Sequence, residues 1–262
     1  MAQVLAIANQ KGGVGKTTTS VNLAASLAAT KRAVLLIDLD PQGNATMGSG
    51  VDKRALKFSI FDVLMHGTAI DTAVHRCAEI GYDLLPANSD LTGAEVGLLE
   101  ELGRELRLRA ALDAVQKRYT YIIIDCPPAL NMLTVNALVA ADAVIIPTQC
   151  EYFALEGISA LLETIDKIRR ILNPKLKIEG FLRTMFDPRN NLANQVSQQL
   201  VKHFGDKVYR TVIPRNVRLA EAPSHGLPAL LYDKASSGAT AYLALAGEML
   251  RRDDAQRAAA TN

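Results

Sequence analysis

The sequence predicts an α/β fold in which a doubly wound, mostly parallel sheet is flanked by helices, and three observations support this. Short apolar runs alternate with longer segments in which apolar residues recur every three or four positions. Several runs consist almost entirely of Ile, Val and Leu without polar alternation, which indicates strands covered on both faces. A glycine-rich segment joins the first run to the first helical segment.

The apolar runs predict strands, in chain order, at Val4–Ala8, Ala33–Asp38, Asp83–Pro86, Tyr121–Asp125, Ala143–Thr148 and Lys177–Arg183. The segments of helical period predict helices at Lys16–Thr30, Leu133–Ala141 and Leu155–Leu172. In the last of these, Ile and Leu residues are spaced three or four positions apart along one face. Strands that alternate with helices in this way belong to a parallel sheet with crossover connections.

Length and composition predict a single domain at residues 1–252, followed by a flexible tail at 253–262. A chain of 262 residues that is 49% hydrophobic can bury one sizeable core, and no linker or internal repeat divides it. The final residues are rich in alanine and polar side chains, so we expect them to fray.

Three features predict a cytoplasmic protein that does not contact a membrane. Cys77, Cys126 and Cys150 are far apart and form no CxxC pair, so we expect reduced core residues. A strand-like stretch starts almost at the N-terminus without a basic leader before it. The longer apolar stretch at 137–147 contains Asp142 and falls short of the ~20 residues that a membrane helix needs.

Positive charge is unevenly distributed along the chain. The net charge is +2, yet residues 163–218 contain 12 Lys and Arg against 5 Asp and Glu. The remaining residues therefore carry a net negative charge. A local cationic excess is compatible with a polyanionic partner, although helices and loops often carry such an imbalance without any partner.

The segment at 9–18, Asn-Gln-Lys-Gly-Gly-Val-Gly-Lys-Thr-Thr, has the composition and position of a phosphate-binding loop. Its glycines let successive backbone N–H groups point at phosphate oxygens, and the following helix adds the positive end of its dipole. We expect Lys16 to contact the β- and γ-phosphates of ATP and the Thr17 hydroxyl to ligate Mg²⁺. The residues predicted to bind ATP or ADP here are Lys11, Gly12, Gly13, Val14, Gly15, Lys16, Thr17 and Thr18.

One departure from the general loop pattern is informative. Gln10 stands where glycine is usual, and a second lysine, Lys11, lies inside the loop. In a site built from one chain Lys11 would be redundant with Lys16. The alternative interpretation of Lys11 is an ordinary solvated side chain.

Aspartates at two predicted strand ends fit the same site. Asp38 and Asp40 end one strand, and Asp125 ends another. Ligands of open α/β sheets bind beyond the carboxyl ends of the strands, so we expect these acids to converge on the Mg²⁺ and phosphates. Any one of them alone would be interpreted as a turn residue or a helix cap.

At these residues the sequence resembles the deviant Walker A ATPases of the ParA/Soj partition family, within the group of P-loop proteins that includes MinD, the arsenite-pump ATPase and nitrogenase iron protein. The first of five motifs defines the group, and the last two are typical of ParA/Soj. The motifs, which span almost the whole chain, are Lys-Gly-Gly-Val-Gly-Lys-Thr-Thr at 11–18, Asp-Leu-Asp-Pro-Gln-Gly-Asn at 38–44, Asp-Cys-Pro-Pro at 125–128, Pro-Thr-Gln-Cys-Glu-Tyr-Phe-Ala-Leu-Glu-Gly at 147–157 and Ile-Pro-Arg-Asn-Val-Arg-Leu-Ala-Glu-Ala-Pro-Ser-His-Gly at 213–226.

The resemblance implies a role for each matching residue. Lys11 resembles the signature lysine, which reaches phosphates held by a second subunit, and Gly12 would lie where the two subunits approach. Asp40 resembles the residue that positions the attacking water, so the catalytic residues implied are Lys11, Lys16 and Asp40. Thr17, Asp38 and Asp125 resemble the magnesium-shell residues, and Pro214 matches a segment near the adenine.

The resemblance also implies partners. ATP would close a sandwich homodimer that binds double-stranded DNA without sequence preference, and a ParB/Spo0J-type protein would stimulate an otherwise weak ATPase. Such a protein is cytoplasmic and associated with the nucleoid. Arg189 and Arg218 match DNA-binding positions, and their alternative is a surface or salt-bridge role. Weaker candidates are Lys202, Lys207, Arg210 and Arg215.

Three other functions are compatible with the same nucleotide site. A MinD-like, membrane-associated positioning ATPase would end in a basic amphipathic helix, whereas the residues at 248–254 include three acids and few large apolar side chains. An iron–sulfur reductase would need cysteines at two loops on a dimer axis, and Cys126 does not fit that arrangement. A nucleotide-binding regulator without useful catalysis stays open.

Overall fold

The computed structural model describes residues 1–152 and 154–261. Phe153, within the motif at 147–157, and Asn262, at the end of the predicted tail, lie outside the described residues. The strands are β1 Gln3–Ile7, β2 Val34–Asp38, β3 His75–Cys77, β4 Tyr82–Leu85, β5 Tyr121–Asp125, β6 Ala143–Gln149, β7 Lys177–Phe186 and β8 Val208–Pro214.

The α-helices lie between and after these strands. They are α1 Lys16–Ala29, α2 Asn44–Gly48, α3 Ile60–His66, α4 Ile70–Ala73, α5 Leu91–Gly97, α6 Arg107–Asp113, α7 Met132–Ala140, α8 Ala154–Ile171, α9 Asn191–Phe204, α10 Val217–Glu221, α11 Ala229–Tyr232 and α12 Ser237–Thr261. Short 3₁₀ turns occur at Leu98–Glu100, Arg104–Leu106, Gln116–Arg118, Gly205–Lys207 and Ala222–His225.

The described strands form one sheet in the order β3-β4-β2-β5-β1-β6-β7-β8. Every neighbouring pair is parallel except β3 and β4 at one edge, which are antiparallel. The predicted doubly wound, mostly parallel sheet is therefore confirmed. Because β1 lies between β5 and β6, and β5 lies beside β2, the carboxyl ends of β1, β2 and β5 are adjacent.

Side chains of the central strands alternate between two apolar cores. Val4 and Ala6 of β1 belong to the core that contains residues of α7 and α8. Leu5 and Ile7 belong to the core on the opposite face, together with residues of α1 and α12. Both faces of the sheet are covered, which explains why these strands have no polar alternation.

The six predicted strands and three predicted helices are all present, with ends shifted by a few residues. The sequence prediction missed β3 and β8. β3 is a three-residue edge strand with the sequence His-Arg-Cys, which has no apolar pattern. β8 contains Arg210 and Thr211 and ends at Pro214, so it does not stand out as an apolar run.

The last helix continues past the predicted domain boundary at residue 252. Asp253 is buried and accepts a 2.5 Å hydrogen bond from the Tyr121 hydroxyl at the start of β5. The backbone is thus helical on both sides of residue 252, while flexibility of the tail stays a prediction. Cys126 and Cys150 are buried, Cys77 is half-buried, and all three are free thiols. Among the described residues no helix combines the length and apolar character needed to cross a bilayer.

Candidate functional site

The glycine-rich segment forms the turn between β1 and α1. Gly13 and Gly15 have φ angles of 73° and 86°, in the left-handed region that glycine adopts without a steric penalty. The Thr184 hydroxyl of β7 donates a 2.8 Å hydrogen bond to the Val14 carbonyl and ties the turn to the sheet. The side chain of Val14 is buried beneath the loop. The turn is therefore held open as a cradle of backbone N–H groups before the first turn of α1.

A cleft of about 630 Å³ opens over this turn. Six of the predicted loop residues line it: Gly12, Gly13, Gly15, Lys16, Thr17 and Thr18. Asp40 faces them from the loop after β2, and Pro127 and Pro128 from the loop after β5. The motifs at 11–18, 38–44 and 125–128, which are far apart in the sequence, therefore meet at the carboxyl edge of the sheet.

Lys16 is buried at the floor of the cleft, and its ammonium donates a hydrogen bond to the Lys11 carbonyl at 3.2 Å. Burial lowers the pKa of this ammonium, and the carboxylates of Asp125 and Asp40 act in the opposite direction. A buried cation whose one hydrogen-bond acceptor in the described part of the chain is neutral favours a bound anion. A phosphate in the cleft would supply that negative charge.

Asp125 ends β5 and is fully buried. Its Oδ1 accepts a 2.8 Å hydrogen bond from the Ser20 hydroxyl of α1, whereas its buried Oδ2 has no hydrogen-bond partner among the described residues. Burial raises the pKa of this carboxyl group, and the nearby charge of Asp38 raises it further. The Thr17 hydroxyl lies within hydrogen-bonding range of this carboxylate and lowers its pKa. A hydroxyl beside a carboxylate is a hard oxygen donor set of the kind that Mg²⁺ prefers. The residues present therefore fit a magnesium ion.

Asp38 lies directly beside Asp125 in the register of β2 and β5. Its Oδ2 accepts hydrogen bonds from the backbone N–H and the hydroxyl of Thr46, at 2.7 and 2.8 Å. Its Oδ1 accepts the Asp40 N–H at 3.2 Å. Burial raises the pKa of the Asp38 carboxyl group, and the Thr46 hydrogen bonds oppose that shift. Asp38 thus holds the loop that carries Asp40, and its place in the magnesium shell stays a prediction.

Asp40 is the acid of this group that faces the cleft. Asp40 is half-buried and lines the cleft, and its Oδ1 accepts the Gln42 N–H at 2.9 Å. A carboxylate in this position can accept a hydrogen bond from a water molecule in the cleft.

Lys11 and Gly12 lie at the outer side of the loop. The Lys11 ammonium forms a 2.6 Å ion pair with Oε2 of Glu151, in the loop after β6. Gly12 is exposed, and a Cβ atom built on it would meet no atom within 4 Å. Gly12 is therefore open to a second molecule, whereas the half-buried Lys11 is held by Glu151 of its own chain.

A second, smaller pocket of about 180 Å³ adjoins the cleft and shares Gly15, Thr18 and Met185 with it. Pro214 lines this pocket, between Ile213 and Arg215. Met185 has a φ of 49°, which is unusual for a residue with a side chain and is typical of strained positions at functional sites. Pro214 therefore lies beside the phosphate-binding loop, and its place near the base of a nucleotide stays a prediction.

The two arginines predicted to bind DNA are both paired with acids of the same chain. Arg189 forms two hydrogen bonds with the Asp187 carboxylate, at 3.0 and 2.8 Å. Arg218 contacts Glu221 at 2.8 Å and Asp233 at 3.2 Å. Each arginine follows the carboxyl end of a strand, β7 or β8, on the nucleotide side of the sheet. The weaker candidates Lys202, Lys207, Arg210 and Arg215 are exposed.

The sequence prediction gave no role to several residues of the site. Glu151 lies in the motif at 147–157. Its charge, opposite to that of Lys11, was the one feature of the sequence that could have indicated their ion pair. Asn131, the N-cap of α7, donates a 2.6 Å hydrogen bond to Glu95, and both line the cleft. Asn131 precedes an apolar helical run, which is a start signal that can be seen in the sequence. Met185 gives no such signal because its role follows from its backbone conformation.

Comparison with known proteins identifies relatives along the whole chain. The AAA domain family matches residues 2–178. The sporulation initiation inhibitor protein Soj of Bacillus subtilis is 53% identical over 249 residues, which cover 95% of this chain and 98% of that protein. The chromosome partitioning protein ParA of Caulobacter vibrioides is 52% identical over 260 residues, covering 98% and 97%.

A solved structure extends the comparison to the fold and the ligands of a relative. A Mycobacterium smegmatis protein described as a cobyrinic acid a,c-diamide synthase, with bound ADP and magnesium, matches with a TM-score of 0.85 and 40% identity. The match covers 97% of this chain and 96% of that one. A relative with the same fold thus binds an adenine nucleotide together with magnesium.

Proposed function

The chain belongs to the ParA/Soj family of chromosome-partitioning proteins, and we propose that it is an ATP-dependent DNA-partition switch. In this proposal ATP closes a sandwich dimer, the dimer binds DNA without sequence preference, and hydrolysis opens it again. The Soj and ParA relatives are 53% and 52% identical to this chain, whereas the Mycobacterium protein described as an amide synthase is 40% identical. The proposal therefore rests on the partition proteins.

One observation carries the proposal. The cleft contains a buried lysine, Lys16, that forms no ion pair with a carboxylate in the described part of the chain, and it is lined by the exposed Gly12, which directly follows a second lysine, Lys11. A nucleotide site formed by one chain would need only the buried Lys16. An exposed glycine and a rim cation beside the phosphate cradle favour completion of the site by a second copy of the chain.

The chain's own residues account for nucleotide binding. The loop N–H groups and Lys16 would hold the phosphates, and the small pocket at Pro214 would hold the adenine. Thr17 and Asp125 would hold Mg²⁺, with Asp38 fixing the neighbouring loop. The bound ion would neutralise charge on the phosphate oxygens during transfer.

Hydrolysis would depend on positioning and charge. Asp40 would accept a hydrogen bond from the attacking water and orient it toward the terminal phosphate. Lys11 of the partner subunit would add a positive charge where negative charge develops, in the manner of an arginine finger. We therefore expect weak activity from the isolated chain and stimulation by a ParB/Spo0J-type partner.

The dimer would bind double-stranded DNA through phosphate contacts, and Arg189 and Arg218 are the candidates on the nucleotide side of the sheet. Phosphate contacts carry no sequence information, and the affinity should fall steeply with salt. The expected location is the cytoplasm, on the nucleoid.

The proposal is tested by measuring molar mass and DNA retention with a slowly hydrolysed ATP analogue. We expect a dimer that binds unrelated duplexes equally, and no dimer for Lys16→Ala because nucleotide is not held. Asp40→Ala should form a dimer with ATP itself and hydrolyse it at least about 100-fold more slowly, since general-base assistance contributes about 10² to 10⁴. A wild-type chain that stays monomeric with bound analogue would refute the switch.

A further inference from the structure

A second large groove lies away from the nucleotide cleft, on the β8 edge of the sheet. Residues of β7, β8, the end of α9 and α12 line this edge groove, and its volume is about 1070 Å³. Its walls include the amino-terminal parts of β7 and β8, whereas the nucleotide cleft lies at the carboxyl ends of the strands. The edge groove is therefore a separate surface.

The edge groove concentrates positive charge. Three acidic side chains line it, Glu179, Asp206 and Glu248, against six cationic ones. The cationic side chains are Lys177, Arg183, Lys207, Arg210, Arg251 and Arg252. The local excess of three exceeds the net charge of +2 of the whole chain.

Most of these cations form no ion pair within the described part of the chain. Arg252 pairs with Glu248 at 2.8 Å, but in the described part of the chain the other five have no carboxylate partner. Arg183 is half-buried and donates only to neutral acceptors, which are the Ser197 hydroxyl and the carbonyls of Tyr209 and Arg210. Its buried Nε has no hydrogen-bond partner in the ranges 1–152 and 154–261 that the structure describes. An incompletely partnered guanidinium beneath exposed cations produces a positive potential that an anion can use.

The predicted DNA-binding arginines differ in this respect. Arg189 is paired with Asp187, and Arg218 is shared by Glu221 and Asp233. The Arg218 group of three side chains carries one net negative charge. Positive charge that is free to meet phosphates is thus found in the edge groove rather than at those arginines.

Two further observations distinguish a nucleic acid from a peptide as the occupant. The outward N–H groups of Arg210 and Thr211 on the edge strand both donate to Glu248 at 2.9 Å, so an added peptide strand would find them occupied. Among the described residues, Val201 is the one strongly exposed large aliphatic side chain in the groove. A peptide ligand would lack the apolar anchors that dominate such interfaces.

We propose that the edge groove binds the phosphate backbone of double-stranded DNA, as a second contact surface of the same protein. The inference rests on the proposed function, because it assigns a further surface to the same partner. Lys207 and Arg210 would contact phosphates at the rim, with Arg183 contributing its charge from below. No base is read, so the contribution is the same for every sequence.

The test is a salt titration of duplex binding by the ATP-analogue dimer, with Lys207→Ala, Arg210→Ala and the control Lys117→Ala. Lys117 is matched to Lys207, because both are exposed and both lie in a 3₁₀ turn just before a strand. The dimer carries two edge grooves. For each groove that contacts the duplex, we expect Lys207→Ala and Arg210→Ala each to reduce the magnitude of the slope of log affinity against log salt by about 0.9. The corresponding loss of affinity at 0.1 M salt is about 5- to 10-fold. Lys117→Ala should behave as the wild type.

The outcomes separate this proposal from the function on which it rests. If Lys207→Ala and Arg210→Ala bind as Lys117→Ala does while Arg218→Glu weakens binding, the edge groove is refuted and the partition function stands. If the wild-type dimer binds no DNA, both are refuted. A fluorescent poly-glutamate peptide that binds the wild type and not Lys207→Ala, with DNA binding unchanged, would refute the assignment of DNA as the occupant.

Discussion

The ammonium of Lys11 and the carboxylate of Glu151, 140 residues apart in sequence, form a 2.6 Å ion pair across the rim of the nucleotide cleft. Their side chains are 36% and 46% exposed. The lysine proposed to act on the nucleotide of a second subunit is therefore held by its own chain. If Lys11 acts on a second subunit as proposed, formation of the dimer would break this ion pair.

Glu151→Gln should make the ATP-analogue dimer form at lower protein concentration. A half-exposed ion pair contributes at most about 1 kcal/mol, and the dimer breaks two of them, so we expect the dissociation constant to fall by about 3- to 20-fold. Sedimentation equilibrium measures the change. Asp166→Asn, which removes an ion pair with Arg169 on α8, is the control. A weaker dimer in Glu151→Gln would mean that Glu151 contributes to the interface instead.

Gly12→Val should bind nucleotide and remain monomeric. A Cβ atom at Gly12 meets nothing within 4 Å, so the valine fits the isolated chain, whereas a partner approaching the rim would meet it. We expect a melting temperature within a few degrees of the wild type, and light scattering should report a monomer with the analogue bound. Gly13→Val is the contrasting variant, because its φ of 73° makes any side chain strained, and it should unfold more easily. A dimeric Gly12→Val would remove the argument for an interface there.

Asp125→Asn should stabilise the nucleotide-free chain, and more so as the pH rises. Burial raises the pKa of Asp125 above its unfolded value, so between these values the folded state holds a proton that the unfolded state has lost. Wild-type stability therefore falls as the pH rises through this window, by about 1.4 kcal/mol for each pH unit. Asparagine does not titrate, and its Oδ1 can still accept from Ser20.

Urea unfolding at pH 5 and pH 8 with EDTA measures this difference. We expect the free energy of unfolding of Asp125→Asn, relative to that of the wild type, to increase from pH 5 to pH 8. With Mg²⁺ and ATP present the order should reverse, because the amide replaces a proposed magnesium ligand. An equal difference at both pH values would show that the Asp125 carboxyl group does not titrate between them.

The sequence predicts the centre of this molecule better than its edges, for a physical reason. Asp38 and Asp125 lie in register because parallel strands bring their carboxyl ends to one edge, and that rule needs only the positions of the strands. β8 could not be found in this way, since it lacks a continuous apolar run, and the N–H groups of its Arg210 and Thr211 are bound by Glu248 of the distant helix α12. Such long-range partners leave no local pattern.

The same limit applies to charge. Residues 163–218 carry an excess of cations in the sequence, and the prediction singled out Arg189 and Arg218 by their match to the family. Only the fold determines which of the cations are paired. The pairing of Arg189 with Asp187, two residues away, could have been expected from the sequence. The pairing of Arg218 with Asp233 could not, because Asp233 lies in a separate segment after α11.

Because Arg218 is paired with two carboxylates, substitution of either acid is expected to strengthen DNA binding rather than weaken it. Asp233→Asn and Glu221→Gln should each strengthen DNA binding. A negative charge about 8 Å from a phosphate costs about 0.5 kcal/mol in water, and loss of a carboxylate also frees guanidinium N–H groups for the phosphate. We expect a gain in affinity of about 2- to 5-fold for each variant, with a larger gain for the double variant. Filter binding at 0.1 M salt with the ATP-analogue dimer measures it.

Asp52→Asn is the matched control for these variants, because it frees Arg54 from a 3.1 Å surface ion pair distant in sequence from Arg218. If Asp52→Asn also raised the affinity for DNA, any arginine released from an ion pair would have this effect. The location of Arg218 would then not matter. Weaker binding by Asp233→Asn and Glu221→Gln would instead mean that the two carboxylates orient Arg218 toward the phosphate. A gain confined to these two variants, lost when Arg218→Glu is added, identifies the acids as the residues that limit phosphate contact at Arg218.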